Sequence, residues 1–433
     1  MSQTANRTEA RGYLFLILIG AAIGLPAALV ASLFLATVHK LEEWFWTDLP
    51  DRLGEDSAPW YLIIGLPVAG AVVVWVARRF LPGDGGHPPL EGIGGGVTPL
   101  RYAPGIALAA LGTLPFGLVL GPEAPLIALG SAVGALVTPF VRLGDRAMTV
   151  IATAGSFSAV SALFGGPLVA GVLLLESGLA MGPQLIPALM PGLVAAAVGY
   201  LLFVGLGDWG GLNQAGLAVP NLPTYDGTRL GDLAMAIVAG VVIAVVLNRV
   251  RYLGTRVQAV ANRHSMLPML LLGGFAVGAI AVIATWLNTT DDEILFSGQS
   301  AVPEVVAEGS VGVLLVILVA KSLGYAISLG SGFRGGPIFP AIFIGITITS
   351  FAVVVFDASP TWAIAVGTAA GMAAGTEMVF SALLFSMLLV GQPGVDALPA
   401  AVLAVAAVWL TKMVIPPPQS AEPTREAVER QPG

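Results

Sequence analysis

The stretch Gly121-Pro122-Glu123-Ala124-Pro125-Leu126-Ile127-Ala128-Leu129-Gly130-Ser131 decides how this chain is read. It sets one acid between a Gly-Pro and an Ala-Pro pair, and no other charge lies between Arg101 and Arg142. An ionisable group in so apolar a setting is costly and marks a functional position. Proline suits the first turn of a helix, where its missing N–H would be unpaired anyway. The run therefore predicts a helix start, with free backbone N–H groups and the positive end of the helix dipole facing the space before it. Glycine at that place removes the side chain that would hold a ligand away.

Two further breaks have the same character. One is Gly83-Asp84-Gly85-Gly86-His87-Pro88-Pro89, the other Ser331-Gly332-Phe333-Arg334-Gly335-Gly336-Pro337-Ile338-Phe339-Pro340-Ala341. Each is read as glycine and proline just ahead of an apolar run that resumes as helix. In lipid, irregular backbone survives only where protein or a watery cavity covers it. Several helix starts converging on one point would form a weak anion site without a full positive charge, and a weakly held anion can also leave. The plainer alternative is a set of ordinary loops or Gly-kinked helices.

Composition sets the frame. The 433 residues are 56% hydrophobic and 10% charged, against about 25% charged in a soluble protein. Apolar stretches recur at 13–38, 60–76, 185–204, 233–247, 311–320 and 400–410. Several approach the roughly 20 residues that cross a bilayer, while others are shorter. The expected fold class is an all-α polytopic membrane protein. Residues 1–12 form a polar N-terminal segment without the features of a signal peptide. The membrane portion spans 13–415, with halves at about 13–205 and 232–415, and 416–433 reads as a disordered cytoplasmic tail with no regulatory domain. Corresponding Gly/Pro-interrupted segments in two halves point to a transporter's midplane site. Zero cysteines exclude thiolate metal ligands, and a net charge of −7 does not suggest nucleic acid as a partner. Arg78, Arg79, Arg249, Arg251, Arg256 and Arg263 are expected on the cytoplasmic side, and the acidic loops around 42–56 and 291–293 on the other.

At a helix start, the Glu123 carboxylate can occupy the anion site itself and swing out when protonated, acting as gate and proton carrier. The bland alternative is a capping carboxylate in an outer loop. Glu176, in Gly171-Val172-Leu173-Leu174-Leu175-Glu176-Ser177, is the second isolated acid. It reads either as an inner proton relay or as a structural acid satisfied by neighbouring helix ends. Lys321 and Arg334 border the third break and read as snorkelling or carbonyl-binding side chains.

At these breaks the sequence resembles the CLC family of chloride channels and proton/chloride antiporters, whose motifs run roughly GSGIP, G(K/R)EGP and GxFxP in that order. Residues 121–125 match the second motif and 336–340 the third, while Gly85-Gly86-His87-Pro88 matches the first only in part. The resemblance spans essentially the whole membrane portion. It implies two inverted halves of many tilted, often half-length helices, and a homodimer with one pore per subunit in the inner or plasma membrane. It implies no enzyme activity and no cofactor, with membrane lipid, small inorganic anions and protons as partners. Glu123 falls on the gating glutamate, Gly85, Gly86, Pro88, Gly121 and Gly336 on the motif positions, and the amides of Ile338 and Phe339 on the anion. Three departures bear on mechanism: Gly85 replaces the motif serine, no tyrosine follows Leu410, and Ser177 stands at the inner proton-glutamate position, one residue after Glu176. Chloride/proton antiport is the leading expectation, with passive anion conduction and fluoride/proton antiport as alternatives. A solute symporter or an intramembrane enzyme lacks the clustered side chains it would need.

Overall fold

The computed structural model describes residues 2–94, 96–137, 144–178, 185–212 and 217–418. The tail reading at 416–433 falls mostly outside them. In the first half, α1 is Ser2–Glu43, α2 Leu49–Leu53, α3 Trp60–Phe80, α4 Ala103–Leu111, α5 Glu123–Ala135, α6 Asp145–Phe164, α7 Pro167–Ser177 and α8 Leu185–Val204. In the second, α9 is Leu230–Ala261, α10 Met266–Thr285, α11 Asp291–Ile294, α12 Val302–Ala307 and α13 Val311–Gly330. The series ends with α14 Ile338–Phe356, α15 Pro360–Thr376, α16 Phe380–Val390 and α17 Leu398–Val414. Residues 2–12, the polar N-terminal segment, are helical and continuous with the rest of α1.

Among the described residues, nine helical segments are long and apolar enough to cross a membrane. Four apolar helices are shorter, including Glu123–Ala135, Pro167–Ser177 and Phe380–Val390. The 13 residues of α5 rise about 20 Å, against roughly 30 Å of hydrocarbon core. Their ends therefore lie inside the protein. That placement explains why the helices beginning at the second and third breaks are so deeply covered. The first turns of α5 and α14 are buried, and residues Thr361 to Gly375 of α15 are buried on every side. A helix apolar all round belongs at the centre of such a bundle.

Small residues set the close approaches. In α14 and α15, a Cβ on Gly371 would strike the carbonyl of Ala341 and lie 3.1 Å from Ile342 Cα. These are backbone atoms with no rotamer to yield, so glycine fixes the interaxial distance.

Charge is divided between two ends. Glu42 and Asp292 lie near enough for their charges to interact, so the two acidic loops meet at one end of the molecule. Arg78 and Arg334 gather with Asp84 at the first break, and Arg251 reaches the Leu90 carbonyl beyond it.

Two expectations follow from this packing. Gly371→Val should cost about 1–3 kcal/mol by overpacking, read as a lower melting temperature in detergent by size-exclusion after heating. Asp291 starts α11 outside the spans. Burial, aided by the Asp292 charge and opposed by a backbone hydrogen bond, pushes its carboxyl up to about 6 from 3.8. A raised acid binds its proton better in the folded state, so stability falls as pH rises across that window. Asp291→Asn should raise the melting temperature at pH 7.5, and the gain should vanish by about pH 4.

Candidate functional site

The second and third breaks meet. Gly121 N–H donates to Gly336 O at 2.8 Å and Gly336 N–H donates to Gly121 O at 2.5 Å, forming an isolated antiparallel bridge. Directly after it on each strand, Pro122 leads into α5 and Pro337 into α14. Glu123, the first residue of α5, reaches across to the first turn of α14. Its Oε1 accepts from Phe339 N–H at 3.0 Å. The residue is 0% exposed, and Oε2 is buried without a partner. A Cβ on Gly121 or on Gly336 would fall on this carboxylate, so both glycines exist to let it lie there.

The arrangement keeps the spacing role read for these glycines and gives their backbone a further one. The N–H groups of Gly121 and Gly336 bond to each other's backbone and are not donors to a ligand. From the start of α14, Phe339 N–H donates to the carboxylate; Ile338, fully buried, opens the same turn. The Phe339 ring packs against Phe164 at 5.8 Å between centroids, and Phe164 against Phe385 at 4.6 Å.

The first break differs from its sequence reading. Four successive residues, Gly83, Asp84, Gly85 and Gly86, have positive φ of 91, 47, 70 and 99°, and Gly86 N–H closes a turn onto Gly83 O at 2.9 Å. Pro88 then heads only the three-residue 3-10 turn Pro89–Glu91, and the next α-helix waits until Ala103. Consecutive turns fold the chain back on itself, so no membrane helix starts there. A Cβ on Gly85 would meet Ala109, Arg78 and Arg334 side chains, and one on Gly86 would meet Ile106. The anchor of this region is Asp84. It takes both Nε and Nη2 of Arg78 at 2.9 Å and Nη2 of Arg334 at 2.5 Å.

Arg334 is 4% exposed and Lys321 is 0% exposed, so neither snorkels to an interface. Lys321 Nζ donates to Leu295 O at 2.5 Å and sits 4.5 Å from the Phe343 ring centre. Sequence reasoning missed the rest of its helix face. Tyr325 donates to Pro337 O at 2.9 Å, and Ser328 Oγ accepts from Val119 N–H at 3.1 Å. Lys321, Tyr325 and Ser328 stand at i, i+4 and i+7, one buried polar stripe on an apolar helix, and that spacing was the available signal.

Glu176 is not loose in a pore. Its Oε1 accepts from Val379 N–H at 2.6 Å and Phe380 N–H at 2.8 Å, and its Oε2 from Ser381 N–H at 2.8 Å. Near it opens a cavity of about 430 Å³ whose walls include His87, Glu91, Ser177, Arg251, Glu377 and Met378. The first break and the surroundings of Glu176 therefore share one polar chamber. Among the described residues, no group of three or more His, Asp or Glu side chains could hold a metal ion.

A family model described as voltage gated chloride channel matches residues 69–412. The chain is 32% identical over 355 residues to the "Putative ion-transport protein YfeO" of Escherichia coli O139:H28 (strain E24377A / ETEC), covering 78% of this chain and 79% of that one. The same identity and coverage hold for the protein of that name in Shigella flexneri serotype 5b (strain 8401). In fold it is similar to a slow cyanobacterial Cl−/H+ antiporter, with a TM-score of 0.76, 18% identity, and 93% and 95% of the two chains covered. It is also similar to a CLC-type fluoride/proton antiporter, with a TM-score of 0.69, 19% identity, and 92% and 95% covered. The expected all-α polytopic architecture of tilted and half-length helices is thus the observed one. Family match, relatives and fold agree: this multi-pass membrane protein belongs to the voltage-gated chloride channel (CLC) family.

Proposed function

We propose that the chain carries chloride or a related small anion across the membrane in exchange for protons, with Glu123 as the gate. One observation carries the reading. A fully buried carboxylate lies on the first turn of α14, one oxygen on Phe339 N–H and the other without a partner. It stands where a permeant anion would bind, on the N–H groups of Ile338 and Phe339, with Pro337 unable to donate. The free helix dipole there attracts negative charge without a compensating cation. Protonation removes the charge that seats the side chain. Glu123 then leaves, the site opens to an anion, and the departing carboxyl carries its proton. The family is one of anion transport, and two proteins of similar fold are described as chloride/proton and fluoride/proton antiporters, which supports exchange. The reading extends to a homodimer in the cell membrane with no cofactor, and to a membrane domain over 13–415. Fluoride stays open as the anion, because Gly85 offers no hydroxyl and the chain beyond Leu410 no tyrosine.

A second reading is passive anion conduction gated by Glu123. The observation favouring it is that Glu176 already holds three backbone N–H groups, and a carboxylate so engaged is a poor proton relay. Reconstituted liposomes separate the two. Under exchange, an anion gradient drives protons uphill; under conduction it does not.

In the same assay, Glu123→Ala and Glu123→Gln should abolish proton movement while anion flux persists within about an order of magnitude of wild type. Unchanged proton coupling in both variants would remove Glu123 from the mechanism. Gly336→Ala should displace the carboxylate by direct collision, at about 1–3 kcal/mol of strain. Its anion flux at neutral pH should move toward that of Glu123→Ala; wild-type flux and coupling would show that the seat tolerates a methyl group.

A further inference from the structure

Glu123 has a counterpart elsewhere in the core. Helix α16 is 11 residues long, and its start is held by Glu176, as Phe339 N–H is held by Glu123. Both carboxylates come from the first half and cross to a helix start in the second, over 216 residues for Glu123 and 203 to 205 for Glu176. Three N–H groups converge on Glu176, those of Val379, Phe380 and Ser381. The first turn of α16 also carries a hydroxyl that Glu176 does not engage. Ser381 is 1% exposed and its hydroxyl is buried with no partner. Buried hydroxyls are almost always bonded, so an idle one at a helix start calls for a ligand.

The surroundings offer a route in. Ser177 and Met378, the chain neighbours of Glu176 and Val379, are part of the wall of the 430 Å³ cavity. Elsewhere on that wall, Arg251 Nε and His87 Nε2 are also buried without partners. A guanidinium N–H donates only, and while Arg251 Nη1 and Nη2 donate to Gly375 O and Leu90 O, its Nε has no acceptor. The acids of the cavity are themselves engaged: Glu377 with Lys412 at 3.3 Å, and Glu91 near His87 at 3.9 Å.

We propose that the start of α16 is a second anion site, opening on this cavity, where a small inorganic anion takes the place of the Glu176 carboxylate. The anion receives the N–H groups of Val379, Phe380 and Ser381 and the hydroxyl of Ser381, while Arg251 draws anions into the cavity. The tethered carboxylate is a competitor at high effective concentration, so the site fills when Glu176 is neutralised or withdrawn. Loading at this site deepens the anion-transport reading and rests on it.

Bromide is the probe, located by anomalous diffraction in crystals of the full chain. Glu176→Ala should show bromide at Val379–Ser381, where wild type shows none. Adding Ser381→Ala should weaken bromide binding by about tenfold, equivalent to about 1.4 kcal/mol. The neutral isostere Glu176→Gln keeps an acceptor for the helix and guards against loss of folding. It should gain a bromide-dependent rise in melting temperature that wild type lacks and that Ser381→Ala removes. Glu123→Ala is the reference, expected to bind bromide at Phe339. Bromide at Phe339 but neither density nor stabilisation at α16 would overturn this inference alone and leave Glu176 a structural cap. Bromide at neither place would overturn the anion reading beneath it.

Discussion

Two peptide hydrogen bonds between Gly121 and Gly336 organise this molecule. They join the interrupted segments of the two halves head to head, so that α5 and α14 start from one point. Inside a membrane protein no water is at hand to satisfy such irregular backbone, and mutual pairing is the economical solution. The bridge costs both glycines their donors, yet it delivers something the N–H groups alone could not. It brings the first side chain of α5 onto the first turn of α14. Without the absence of a Cβ at both positions, the Glu123 carboxylate would have no room.

Electrostatics and packing divide the labour around that point. In the proposed anion site no full positive charge touches the Glu123 carboxylate, and the attraction comes from helix-end N–H groups. The cations stand back and are tied elsewhere, Lys321 to a carbonyl and Arg334 to Asp84. A site with a bare lysine would hold an anion too firmly for turnover. The Asp84 cluster instead fixes the first break against the third, since Arg78 also donates to Gly332 O at 2.8 Å. The buried helices α14 and α15 then clamp the outcome through backbone-to-backbone contacts at glycine.

The same device recurs at α16, where Glu176 reaches across as Glu123 does. The two acids differ in saturation: Glu123 has an oxygen left without a partner, whereas both Glu176 oxygens are bonded. Under the proposed exchange, that difference makes Glu123 the side chain that leaves when protonated and Glu176 the more firmly held of the two.

The sequence by itself determined the environment and the principal acid. Few charges and many apolar runs require lipid as solvent, and a lone glutamate between Gly-Pro and Ala-Pro stands out there as a candidate site. The order of the three breaks was also enough to suggest the family. Local pattern could not say where each N–H points. Gly121 and Gly336 read as spacers, but that they pair with each other across 215 residues of chain was not legible. Gly85, Gly86 and Pro88 looked like a helix start, but successive left-handed residues turned the chain into a loop anchored by Asp84. Tyr325 showed only as part of a polar stripe, and which carbonyl stands opposite it was not legible. A hydrogen bond is a relation between two groups in space, and the sequence names only one of them at a time.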